Sequence, residues 1–144
     1  MLQKQGDLAG ALEGYERSLS IARKLVARDA SNADWQRDLS ITLAAIGNLR
    51  LEGRDFAGAR EAFADSLRIR ETLAAAEPDN ALWQRDLVMA YVDFAKVADN
   101  PRDLVSRALD IVLDLQKTGR LPKKYDYMVG GLRKLLAKFD AQGK

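Results

Sequence analysis

DFAGAREAFADSLRIRETLAAAEPDNALWQRDL, residues 55–87, restates DLAGALEGYERSLSIARKLVARDASNADWQRDL, residues 7–39, at a spacing of 48 residues and without a gap. The two stretches are identical at 17 of 33 positions and share the closing Trp-Gln-Arg-Asp-Leu, at Trp35–Leu39 and Trp83–Leu87. Self-similarity at such a period is the mark of stacked supersecondary units, each too small to bury its apolar face alone. The units read as helices. Phe56, Ala59, Phe63, Leu67 and Leu73 recur mostly three or four residues apart, as do Leu8, Ala11, Tyr15, Leu19 and Leu25 in the first copy. Trp35, Leu39, Leu43 and Ile46 mark a second amphipathic stretch between them, and no run alternates with period two.

Punctuation sets the boundaries. Ser31-Asn32 and Asp79-Asn80 are good N-cap residues ahead of the two Trp-bearing helices. Pro78 fixes the end of the helix before it, and Gly53 lies in the turn after Leu51. Asn100-Pro101 reads as cap and first-turn proline, Gly119 as a stop, and Pro122 as the opening of a sixth helix. The expected helices are 7–28, 33–51, 55–76, 81–97, 101–118 and 122–140.

Composition narrows the chemistry. The 144 residues are 47% hydrophobic and 31% charged, enough apolar chain for one core and too much for disorder. There is no cysteine and no histidine, which removes the thiolate nucleophile, the commonest general base and the commonest zinc ligand. Serines 18 and 66 therefore have no partner to activate them. Asp99, Asp103, Asp110 and Asp114 read as exposed solubilising charge, and no cofactor is expected. Basic residues and acidic ones, 23 and 21, are interspersed. The one basic concentration, from Lys117 through Lys124 and again at Arg133, Lys134 and Lys138, reads as a solvated face, so nucleic acid is not the expected partner. Neither a signal peptide nor a membrane span is visible, and a cytoplasmic location is expected.

Leu43-Ala44-Ala45-Ile46-Gly47 followed by Ala59-x3-Phe63, with Pro78 beyond, resembles the tetratricopeptide repeat. Ala11-x3-Tyr15 repeats the second half of that motif, whereas Arg50 stands where the family has tyrosine. The resemblance is to a long-helix bacterial multi-repeat variant, since the period exceeds the usual one of roughly 34 residues by about two helical turns in each helix. It implies an all-α, right-handed α-solenoid of antiparallel helix hairpins with about six helices. Residues 1–98 would hold the repeats: the second helix of a truncated repeat at 7–28, a full repeat at 33–76, and the first helix of the next at 81–97. Residues 99–144 would supply a degenerate second helix and a C-terminal cap built on Tyr127, Leu132, Leu135, Leu136 and Phe139.

Within this frame Ala11, Tyr15, Trp35, Gly47, Ala59, Phe63 and Trp83 are expected to form the repeat core, the small ones where helices cross closely. Gly130-Gly131 is expected to mark another close crossing, against the fifth helix. The resemblance further implies a concave groove on the first helices, with Ile41, Ala44, Asn48 and Leu51 from one repeat and Met89, Val92 and Lys96 from the next. The expected function is a non-catalytic scaffold or adaptor holding a protein or peptide segment there. Alternatives are an RNA-associated helical repeat and the regulatory C-terminal region of a larger protein. The first helix has no cap before it, so upstream repeats or a second copy of the chain are expected to cover its apolar face.

Overall fold

A computed structural model describes residues 2–142, and side chains from residue 6 onward. The described chain is all-helical: α1 Leu2–Arg28, α2 Ala33–Glu52, α3 Phe56–Ala76, α4 Ala81–Ala95, α5 Pro101–Lys117 and α6 Tyr127–Gln142, with a 3-10 turn at Lys123–Tyr125. The six helices pack in adjacent pairs, in keeping with an all-α helical repeat fold. The chain divides into two compact units, Met1–Leu73 and Ala74–Lys144.

In the first unit α1 and α2 are antiparallel neighbours joined by a four-residue turn. Asp29 organises that turn by accepting from the Ser31 amide (3.1 Å), and Asn32 caps α2 by accepting from the Trp35 amide (3.1 Å). Leu19, Leu39, Leu43, Ile46 and Ala62 form the core, with Leu12, Ala22, Val26 and Ile69 packed around it. Each fully buried leucine or isoleucine contributes roughly 1.5–3 kcal/mol by leaving water, which outweighs any single cap or ion pair in the unit. The turn into α3 places Arg54, not Gly53, in the left-handed region (φ 65°). Asp55 then caps α3 by accepting from the Gly58 amide at 2.9 Å. The first copy of the repeat does otherwise. There Gly6 and Asp7 are helical, and α1 begins at Leu2 rather than at the expected residue 7.

In the second unit Asn80 caps α4 through the Trp83 amide, also at 3.1 Å. Val88, Val105, Ala108 and Val112 are completely buried, and Leu104, Leu115, Val129 and Leu132 nearly so. Helix α4 closes two residues earlier than expected because Lys96 and Val97 bond three residues back, to the Asp93 and Phe94 carbonyls, tightening its end. Gly119 adopts φ 72°, letting the Arg120 and Leu121 amides fold back on the Leu115 carbonyl (2.8 and 3.1 Å). Leu121 is thereby buried. Pro122 follows in extended conformation, so the last α-helix opens at Tyr127 and not at Pro122. Asn100 holds the cap position of α5 but makes no side-chain cap bond.

Two packing expectations need correction. A Cβ at Gly130 or Gly131 would meet nothing within 4 Å, so neither glycine marks a close crossing. Tyr127 is exposed and does not join the buried face of α6, which runs through Val129 and the expected Leu132, with Leu135, Leu136 and Phe139 half-buried. An exposed ion pair, Arg102–Asp140, ties the start of α5 to the end of α6, and its hydrogen bond raises the Arg102 guanidinium above its ordinary value. That contribution is lost only as pH rises through this raised value, far into the alkaline range. No helix among the described residues is long and apolar enough to cross a membrane.

Candidate functional site

The faces that can meet a partner are those that packing leaves uncovered. On α2 the residues Ile41, Ala44, Asn48 and Leu51 recur at three- and four-residue steps and so share one face. Ile41 is 41% exposed, Asn48 is exposed, and Leu51 is half-buried. Ala44 is buried at 9%, because its methyl is too short to clear its neighbours; it forms part of the floor of this strip, not its contact surface. The Asn48 amide donates to the Ala44 carbonyl one turn back at 3.2 Å, which holds its side chain along the helix.

On α4 the equivalent positions, 48 residues later, are Met89, Val92 and Lys96. Met89 is 47% exposed, Val92 half-buried and Lys96 exposed. The Lys96 ammonium stands 3.2 Å from Asp93, itself a buried carboxylate. Each helix therefore presents one apolar residue, one recessed small or branched residue, and one polar residue in the same order.

The residues expected to form the repeat core divide into three groups. Gly47, Ala59 and Phe63 are buried together between α2 and α3, and a Cβ at Gly47 would stand 2.6 Å from the Phe63 ring. Trp35 and Trp83 are half-buried beside their caps, and Ala11 is half-buried. Tyr15 is not a core residue: it is 43% exposed, because no helix among the described residues lies on its side of α1.

Burial of one polar cluster was not legible in the sequence. The Ser66 hydroxyl donates to the Ser40 carbonyl at 2.8 Å, and Arg70 Nε donates to the Ser40 hydroxyl at 3.1 Å. That hydroxyl donates in turn to the Arg37 carbonyl at 2.7 Å. All three side chains are buried, Arg70 at 6% exposure. These bonds join α2 to α3, so the cluster helps to fix how the two helices meet. The repeat gave no signal for it, since Ala22 occupies the place of Arg70 in the first copy. A second missed contact lies in the other unit, where the Arg85 guanidinium stacks 4.3 Å from the Tyr125 ring centroid with Lys124 at 5.2 Å. Arg85 Nε is buried there without a hydrogen-bond partner among the described residues.

A cleft of about 530 Å³ borders α1 and the end of α2, with Glu16, Ser20, Arg23, Lys24 and Arg50 on its walls. Glu16 is engaged by Arg50 at 3.6 Å, and Arg50 also donates to the Gly58 carbonyl at 3.2 Å, so these groups tether helices. Among the described residues no three of His, Cys, Asp or Glu converge in a way that could hold a metal ion. Arg120 is turned inward to the Pro78 carbonyl and to Asp114, both at 3.1 Å. No protein-family model, curated protein or solved structure matches the chain.

Proposed function

We propose that this chain is a non-catalytic protein–protein interaction module of tetratricopeptide type, working in the cytoplasm as a scaffold or adaptor. The observation that carries the reading is the pair of equivalent strips, Ile41/Asn48 on α2 and Met89/Lys96 on α4. Folding leaves these large apolar side chains 41% and 47% exposed, and a peptide or helix laid on either strip would bury its apolar residue. Each strip offers an apolar anchor and one polar group, which suits a short amphipathic segment better than a charged tail. The polar group differs, an amide on α2 and, on α4, an ammonium paired with Asp93.

The test is a peptide-display selection on the intact chain, followed by titration against Ile41→Asp/Met89→Asp. Both positions are exposed, so the variant keeps its helical circular dichroism and melting midpoint. Selected peptides are expected to lose about tenfold or more in affinity, a little over 1.4 kcal/mol. Equal binding to both proteins would remove the two strips from consideration.

A further inference from the structure

Charge is unevenly spread along the chain. Residues 117–144 hold eight of the 23 basic residues and two of the 21 acidic ones, so this stretch carries +6 while residues 1–116 carry −4. In the sequence such a concentration reads as a solvated face; the structure shows how part of it is arranged. Tyr127, Gly130, Gly131, Lys134 and Lys138 recur at three- and four-residue steps and share one face of α6, opposite the buried Val129 and Leu132. All five are exposed, Tyr127 at 72%. A Cβ at either glycine would meet nothing within 4 Å, so open space lies between the tyrosine ring and the two ammonium groups. Lys134 and Lys138 make no ion pair or hydrogen bond among the described residues. The two carboxylates of the stretch lie off this face: Asp126 precedes the helix, and Asp140 is held by Arg102. Lys123 and Lys124, both exposed, stand in the 3-10 turn at the Tyr127 end of the same helix.

We infer that this face of α6 binds single-stranded nucleic acid, with Lys123, Lys134 and Lys138 meeting phosphates and the Tyr127 ring stacking on a base. Unpaired cations without a carboxylate among them complement a polyanion, and release of its condensed counterions drives association. A base stacks on an aromatic ring that is free and has open space beside it, as Tyr127 does next to Gly130 and Gly131. The face runs about 16 Å from Tyr127 to Lys138, the length of roughly five stacked nucleotides. No amide or guanidinium fork stands on it to read a base edge, so binding is indifferent to sequence. Two other anionic partners fit less well. A helix lying in a membrane surface inserts several apolar side chains, but Leu132, Leu135, Leu136 and Phe139 of α6 are buried or half-buried. A protein interface is built on an apolar centre, and Tyr127 is the one large exposed apolar residue on this helix. None of these residues belongs to the strips on α2 and α4.

The probe is a short fluorescein-labelled oligouridylate, followed by anisotropy as the intact chain is titrated in at several salt concentrations. Saturable binding that weakens as salt rises is expected. Lys134→Glu/Lys138→Glu should weaken it about tenfold or more and lower the log–log salt slope by about 1.4, since each phosphate contact on a single strand contributes about 0.7. Tyr127→Ala should weaken it about tenfold, whereas Tyr127→Phe, which keeps the ring, should not. Arg23→Glu/Lys24→Glu makes the same change of charge on exposed residues of α1 and should weaken it much less. Every substituted residue is exposed, so all variants should melt like the parent, which separates lost binding from lost folding. Four results would overturn the inference: no saturable binding at low salt, an equal loss from the α1 variant, displacement of the probe by polyglutamate as readily as by unlabelled oligouridylate, or tighter capture of phosphatidylserine vesicles through the same two lysines.

Discussion

The ring of Phe63 occupies the space that a side chain at Gly47 would need: a Cβ there would stand 2.6 Å from ring atom Cε1 and 2.7 Å from Cδ1. Phe63 is 1% exposed, so its ring has nowhere to retreat. Gly47→Ala is therefore expected to destabilise the chain by about 1–3 kcal/mol through overpacking. This loss exceeds the 0.5–1 kcal/mol or so that alanine gains over glycine inside a helix. Urea denaturation would show a lower midpoint with unchanged slope, and an unchanged midpoint would mean the crossing is looser than described.

The opposite sign is expected at Gly131. It lies within α6, where a Cβ meets nothing, so only the helix propensity term remains. Gly131→Ala should stabilise by roughly 0.5–1 kcal/mol, read as a rise in melting midpoint.

The three asparagine caps are not equivalent. Asn32→Ala and Asn80→Ala each remove a 3.1 Å bond to a helix amide and should cost about 1 kcal/mol. Asn100→Ala removes no such bond and should stay within about 0.5 kcal/mol of the parent. Equal losses at all three would show that the bond is not what stabilises these termini.

Ser40→Ala deletes the acceptor of the buried Arg70 Nε, and a loss of about 1–3 kcal/mol is expected. Arg70→Met, which removes the charge with its need for a partner, should cost less. In the double variant the two losses should not add, because the second change removes the group that the first left unsatisfied. Simple additivity in a denaturation cycle would mean that Ser40 and Arg70 act independently.

Arg85 offers a contrast. Its stacking on Tyr125 contributes about 0.5–2 kcal/mol, while its buried Nε without a partner costs a similar amount. Arg85→Met should leave the melting midpoint close to that of the parent, whereas Tyr125→Ala should lower it.

The sequence by itself determined the helices and most of their ends. A hydrophobic step of three to four residues, capping asparagines and helix-stopping prolines are local signals, and each acts through the backbone of its own neighbourhood. It also marked Gly47 and Ala59 for close helix crossings and Phe63 for the repeat core, whereas Ala11, marked in the same way, is only half-buried. Which of two like faces is covered only the tertiary structure decided. Tyr15 and Phe63 occupy the same place in the repeat, yet one is 43% exposed and the other 1%, because burial depends on whether a helix arrives from elsewhere in the chain. The Ser40–Ser66–Arg70 cluster was hidden for the same reason: hydrogen bonds across 26 and 30 residues leave no period in the sequence. So was the true helical state of Gly6, since in the second copy Arg54 turns the chain in the left-handed region and in the first no such turn interrupts α1.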